Sequence, residues 1–224
     1  MKNNKLLWII TLIPIIFTIV MIGFSPDQIP MHYDGQGNID RWGSKYENFL
    51  FPCIILVNTI IMHFSIRQME KGLSKTILIK DKKDMEQNIK VVRLVGILMA
   101  CIFTVMHIVF TISAFLEATS QASISAVDFN LIVNLLLAVM FVVLGIYLPK
   151  VQQNSVMGLR TRHTLNNKKV WEKSHQFMGR AFIVAGIITA IETIIIGGMA
   201  STIIMIVIIL ITTLLAVVYA GRIS

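Results

Sequence analysis

Apolar residues gather into six long blocks separated by short polar stretches, at 6–24, 49–66, 91–116, 128–149, 178–198 and 201–220. Each is close to or above the roughly 20 helical residues that cross the hydrocarbon of a bilayer. Leu6–Phe24 and Ser201–Ala220 carry no charge, and the block at 178–198 carries one acid, Glu192. The third block is longer than a crossing needs, so it tilts or projects. The pattern predicts an all-α fold: a polytopic membrane helix bundle with six transmembrane helices. The first block follows Lys2 and Lys5, as a signal peptide would, but it is too long for one and no small-x-small cleavage pattern follows it. It reads as a retained anchor.

The polar stretches carry their own patterns. In 25–48, Pro26, Pro30, Asp34-Gly35 and Gly37-Asn38 mark turns, and Ile29, Met31, Tyr33 and Ile39 alternate with polar neighbours. Two short strands joined through Asp34–Asn38 are predicted, giving a small structured extracellular loop. Trp42 and Tyr46 suit the membrane interface. Pro14 is expected to kink the first helix, and Pro52 sits in the first turn of the second. Residues 85–93 can begin the third helix before lipid. Trp171, His175 and Gly179 share one face of a helix that leads into the fifth span. Gly179, Gly186, Gly197 and Gly198 permit close helix packing there. The chain divides into a two-helix unit at 1–66 with outer loop 25–48, a basic connector at 67–90, and a four-helix membrane domain at 91–224 with inner loop 150–177.

Composition agrees with this picture. Of 224 residues, 55% are hydrophobic and 14% charged, which excludes a secreted disulfide scaffold, a disordered chain and an ordinary cytosolic enzyme. A formal net charge of +8 would suggest nucleic acid in a soluble protein, but here the bases follow the membrane. Loop 25–48 has four acids against two bases, and 117–128 has two acids and no base. Segment 67–90 has seven bases against four acids, and 150–177 has six against one. The alternation places both termini in the cytoplasm of a multi-pass cell-membrane protein. Lipids, including anionic headgroups, are the partners these bases imply, and direct nucleic-acid binding is not expected.

Candidate chemistry is sparse. Cys53 and Cys101 lie at different depths and do not suit a disulfide. His32, Asp34 and Asp40 are zinc-type donors, but one histidine at unspecific spacing does not make a metal site. The outer loop reads as a cap over the bundle or as a surface for an extracellular peptide. At the inner loop, Gly158 permits a tight turn before Arg160, whose guanidinium suits a carboxylate, carbonyl or phosphate. His175 and His163 are the available bases there, with no nucleophile set beside them. Within the spans, His107 and Glu192 fall at similar depth. An acid there should face protein or water, so a pairing with His107, Asn134, Asn130 or Thr111 is expected. No cofactor motif is present, and the chain is not read as an enzyme.

The two polar loops together resemble the SdpI-like immunity protein family of bacterial integral membrane proteins. One part of the resemblance is Ile29-Pro30-Met31-His32-Tyr33-Asp34, Gly37, Asp40, Trp42, Gly43, Ser44 and Lys45, which matches the family's N-terminal domain of unknown function. The other is Asn154, Gly158, Arg160, Thr161, Thr164, Leu165, Trp171, His175 and Gly179, which matches its loop before the last two helices. Many members carry Arg-Thr-Pro before the Thr-Leu pair; Arg162 and His163 here lose the proline-set turn and gain charge. The resemblance implies protection against a secreted antimicrobial peptide toxin, and a receptor that holds a cytoplasmic transcription repressor at the membrane. It points to His32, Asp34, Asp40 and Trp42 as outer binding residues. On the inner face it points to Asn154, Gly158, Arg160, Thr161, Trp171 and His175. A small-solute or proton-coupled transporter using Glu192, and a structural envelope protein, are the alternatives.

Overall fold

The computed structural model describes residues 4–76, 78–125, 127–154 and 156–224. Lys2, one of the anchoring bases read from the sequence, lies outside them. Helix α1 (Lys5–Phe24) leads into a hairpin of β1 (Gln28–Tyr33) and β2 (Ile39–Ser44) and a short 3-10 turn. Then follow α2 (Leu50–Lys75), α3 (Ile79–Ser120), α4 (Phe129–Tyr147), the short α5 (Arg162–Asn166), α6 (Lys168–Ile196) and α7 (Gly198–Arg222). All but α5 are long and apolar enough to cross a membrane, six helices as the hydrophobic blocks predict.

The side-chain distribution is that of a bundle solvated by lipid. Large aliphatics point outward: Ile16, Ile194 and Leu210 are all more than half exposed, while Thr11, Thr18, Thr59, Asn134, Thr189 and Ser201 are buried. Lipid tails are as apolar as isoleucine, so helices associate through small residues and interhelical hydrogen bonds instead. Thr11 meets Thr59 at 2.7 Å, and Trp8 Nε1 donates to His63 Nδ1 at 3.1 Å, joining α1 to α2. Asn134 Nδ2 donates to Ser201 at 2.9 Å and Thr202 at 3.2 Å, joining α4 to α7. Helix α3 packs along α1 and α2, whereas α4, α6 and α7 form the second group.

The polar segment at 67–90 is mostly helix. Helix α2 continues to Lys75 and α3 begins at Ile79, earlier than the lead-in at 85 that the pattern suggests. Ile66, Met69, Ile89 and Val92 bury an apolar seam between the two extensions. Arg93 reaches from α3 to Glu70 at 2.9 Å and to Asn4 at 3.2 Å, tying three helices together. The resulting α3 has 42 residues, about 63 Å of continuous helix. It ends where Gln121 turns left-handed at φ 53°.

The closest helix contact lies between α4 and α6. A Cβ on Gly145 would meet the Gly179 carbonyl at 2.6 Å, one on Gly179 would meet the Gly145 carbonyl at 2.7 Å, and one on Gly186 would meet the Ala138 carbonyl at 2.7 Å. These positions have no room for a side chain. Gly197 and Gly198 differ from the packing role expected of them: at φ +66° and +59° they form the sharp α6–α7 turn, where L side chains are strained. Gly186→Leu is therefore expected to force α4 and α6 apart, lowering stability by about 1–3 kcal/mol or more. A reduced thermal unfolding midpoint in detergent checks this; an unchanged midpoint contradicts the contact.

Candidate functional site

The hairpin pairs Gln28 with Ser44 through Tyr33 with Ile39, antiparallel, with irregular register around His32. The Asp34–Asn38 connection is an Asx turn: Asp34 Oδ1 accepts from the backbone N–H of Gln36 and Asn38 at 2.8 and 2.9 Å, and Oδ2 accepts from Asn38 Nδ2 at 2.8 Å. Those bonds from Asn38 hold the Asp34 carboxyl below its ordinary value. A third segment adds to the hairpin. Ile39 N–H donates to the Ser123 carbonyl at 3.0 Å, and Ser125 N–H donates to the Gly37 carbonyl at 2.9 Å.

Glu117 holds this assembly to the bundle. It is 1% exposed in the last turn of α3, where the helix dipole disfavours a carboxylate. Hydroxyl donors surround it: Tyr33 donates to Oε2 at 2.6 Å, and Ser113 and Ser125 donate to Oε1 at 2.6 and 3.0 Å. Short hydrogen bonds to a charged acceptor are the strong ones. They join β1, α3 and the segment before α4. Burial pushes the Tyr33 phenol above its ordinary value, and the bond to Glu117 and its charge add to the rise. The pattern read from the sequence left Glu117 in a loop; Ser113 four positions before it was the one signal that helix continues and carries a polar face there.

A cavity of about 670 Å³ lies between the hairpin and the ends of α2, α3, α4 and α7. Asp34, Arg41, Glu47 and Asp128 stand among its lining, with Phe51, Phe110, Phe129 and His107 on the helices. The volume is within the range of ligand sites. Tyr33 and Phe110 both pack on Phe129, at 4.9 and 4.6 Å between ring centroids. Of the outer residues singled out by sequence, His32 and Asp34 line the cavity. His32 Nδ1 and Asp40 Oδ1 meet at 2.6 Å in an exposed pair, and Trp42 stands on β2, 43% exposed.

The intramembrane residues are not brought together. His107 meets Thr18 at 2.7 Å and stacks on Phe51. Glu192 instead accepts from its neighbour Thr193 at 3.3 Å, and its other oxygen has no hydrogen-bond partner among the described residues. The expected pairing of Glu192 with His107, Asn134, Asn130 or Thr111 is corrected: α6 turns Glu192 toward an apolar groove of isoleucines. Common depth along two helices does not specify their rotation.

At the opposite end, the residues read as an inner binding loop clasp the loop itself. Asn154 accepts from the backbone N–H of Val156 and Met157. Trp171 Nε1 donates to the Val151 carbonyl at 2.8 Å. His175 stacks on Trp171; Leu159 N–H donates to its Nε2 at 3.1 Å, so Nδ1 carries the proton given to the Trp171 carbonyl at 2.9 Å. Both ring nitrogens are occupied. Gly158 sits at φ +108° directly against His175. Thr161 caps α5 through a reciprocal bond with Thr164. Asn88, which the pattern passed over, grips the Gln152 backbone twice, at 2.8 and 3.1 Å, and fixes this loop to α3. Arg160 is exposed and forms no hydrogen bond or ion pair among the described residues, beside exposed Arg162, Lys169 and Lys173.

Two substitutions test this geometry. Tyr33→Phe leaves Glu117 short of a donor and is expected to destabilise the hairpin end by about 1–3 kcal/mol. Faster protease cleavage within 25–48 would report it, with the six spans still intact. Gly158→Ala places a methyl against His175 in a left-handed backbone and is expected to cost a similar ~1–3 kcal/mol; an unchanged unfolding midpoint would contradict the clasp.

Residues 9–56 match a domain of unknown function, DUF1648, and residues 150–220 match the SdpI/YfhL protein family. The first covers most of α1, the hairpin and the start of α2; the second covers the clasped loop with α6 and most of α7. The chain is also 23% identical over 192 residues to "Immunity protein SdpI" of Bacillus subtilis (strain 168), covering 85% of this chain and 81% of that protein. No solved structure matches. With both family regions in order and a relative aligned across most of its length, the chain is similar to the SdpI-like membrane proteins.

Proposed function

We propose that this protein is a multi-pass cell-membrane immunity protein that protects the cell against a secreted antimicrobial peptide toxin. The observation that carries the reading is the alignment with an immunity protein over 85% of the chain. The hairpin end lies outside and both termini lie in the cytoplasm; the excess of bases in 67–90 and 150–177 supports that orientation. The cavity under the hairpin then opens toward the side from which a toxin arrives.

A receptor role belongs to the same proposal. Arg160, Arg162, Lys169 and Lys173 form an exposed basic surface at the cytoplasmic end, suited to an acidic face of a repressor. Helix α3 runs from Glu117 under the hairpin to Asn88 at the clasped loop, so one rigid element touches both ends. The transporter alternative loses the polar relay that a His107–Glu192 pair would have supplied.

Deleting the gene is expected to sensitise cells to a specific peptide toxin, and re-expression to restore growth. Survival unchanged against the peptide toxins made by the same strain and its relatives would remove the reading. Arg160→Ala is expected to insert at normal levels and to lose membrane retention of the repressor, read by cell fractionation. Degradation of that variant would assign Arg160 a structural role instead.

A further inference from the structure

The lining of the hairpin cavity includes a histidine with one ring nitrogen that no described residue engages. His107 lines the cavity and is 2% exposed. Thr18 Oγ1 lies 2.7 Å from His107 Nε2 and 2.8 Å from the Pro14 carbonyl. The carbonyl can only accept, and we assign it the single hydroxyl hydrogen of Thr18, the usual back-bond of a helical threonine to the carbonyl four positions before it. On that assignment Nε2 carries the ring proton and donates it to Thr18, which leaves Nδ1 as an acceptor. Among the described residues, nothing donates to Nδ1. The ring cannot easily turn away, because it stacks on Phe51 at 5.9 Å and meets Phe17 edge-on at 6.4 Å.

The lining above it has the opposite need. Asp34, Glu47 and Asp128 bring three carboxylates, and Arg41 is the one arginine facing them, 3.0 Å from Glu47. His32 is held by Asp40. The lining is therefore net acidic at its mouth and aromatic below, around Phe51, Phe110 and Phe129. A guest that fits carries a cation near the mouth and an aromatic ring with an N–H donor further in. Indole is donor-only and matches an acceptor-only nitrogen. The lining runs from Asp34 and Gln36 on the hairpin to His107 within α3, a span suited to a peptide segment and not to one side chain.

We propose that the cavity binds a cationic peptide segment through a tryptophan whose indole N–H meets Nδ1 of His107, with lysine or arginine held by Asp34, Glu47 and Asp128. The choice of a peptide rests on the immunity reading above; the ring, donor and cation rest on the cavity itself.

The test uses the full chain in phosphatidylcholine nanodiscs and a fluorescently labelled Lys-Leu-Trp-Leu-Lys amide. Three analogues accompany it: one with 1-methyltryptophan, which lacks the N–H, one with leucine for tryptophan, and one with glutamate for both lysines. The parent is expected to bind at least tenfold more tightly than each analogue. In His107→Phe the parent and its methylated analogue are expected to bind alike. Gly35→Trp fills the mouth from an exposed turn whose Cβ faces Met199 at 3.7 Å; it should abolish binding without disturbing the helices, as judged by gel filtration. No binding of the parent, equal binding of parent and methylated peptide to the unaltered protein, or full binding to Gly35→Trp overturns the proposal. The survival assay is decided separately. Protection without peptide discrimination keeps the immunity reading and removes this guest chemistry. Discrimination without protection keeps the site and removes the immunity reading.

Discussion

A carboxylate buried at the end of an apolar helix is tolerated only if its hydrogen bonds are supplied locally, and Glu117 imposes that condition here. Left unpaired it would cost several kcal/mol. Its position at a helix C-terminus adds to the cost. Tyr33, Ser113 and Ser125 supply the donors from three parts of the chain. Satisfying one acid therefore fixes where β1 lies over the bundle and where the chain runs before α4. The cavity is the space left between that anchored hairpin and the helix ends.

The opposite end is organised by a different rule. Among the described residues no charge is buried in the clasp; a loop backbone is satisfied by side chains. Asn88, Asn154, Trp171 and His175 each take up main-chain groups of Val151, Gln152, Val156, Met157 and Leu159, which have no helix or strand partners of their own. Polar backbone near lipid must be paired within the protein. The residues that resemble a binding motif in the sequence thus shape the surface, while Arg160 and its basic neighbours are what that surface offers. Helix α3 links the two ends because its extension to Ile79 keeps Asn88 and Glu117 on one rod.

Between the ends, packing depends on what is absent. Gly145, Gly179 and Gly186 let α4 and α6 approach backbone to backbone. Dispersion and small-residue packing supply the association that the hydrophobic effect cannot supply among lipid tails. The hydroxyl and amide contacts of Thr11, Thr59, Asn134 and Ser201 add direction to it.

Much of this was legible in the amino-acid order. Six apolar blocks set six membrane-length helices, because each must satisfy its own backbone in hydrocarbon. The alternation around Asp34–Asn38 set a two-stranded hairpin, and two separated motifs carried the family resemblance. These are local properties: length, period and turn chemistry act within a few residues. Helix rotation is not local. It decided that Glu192 faces isoleucines while His107 turns to Thr18 and an open cavity. It also decided that Glu117, which looked like a loop acid, is the buried fastener of the hairpin. A side chain's partner across a bundle depends on how whole helices pack and turn, and no single segment of the chain contains that information.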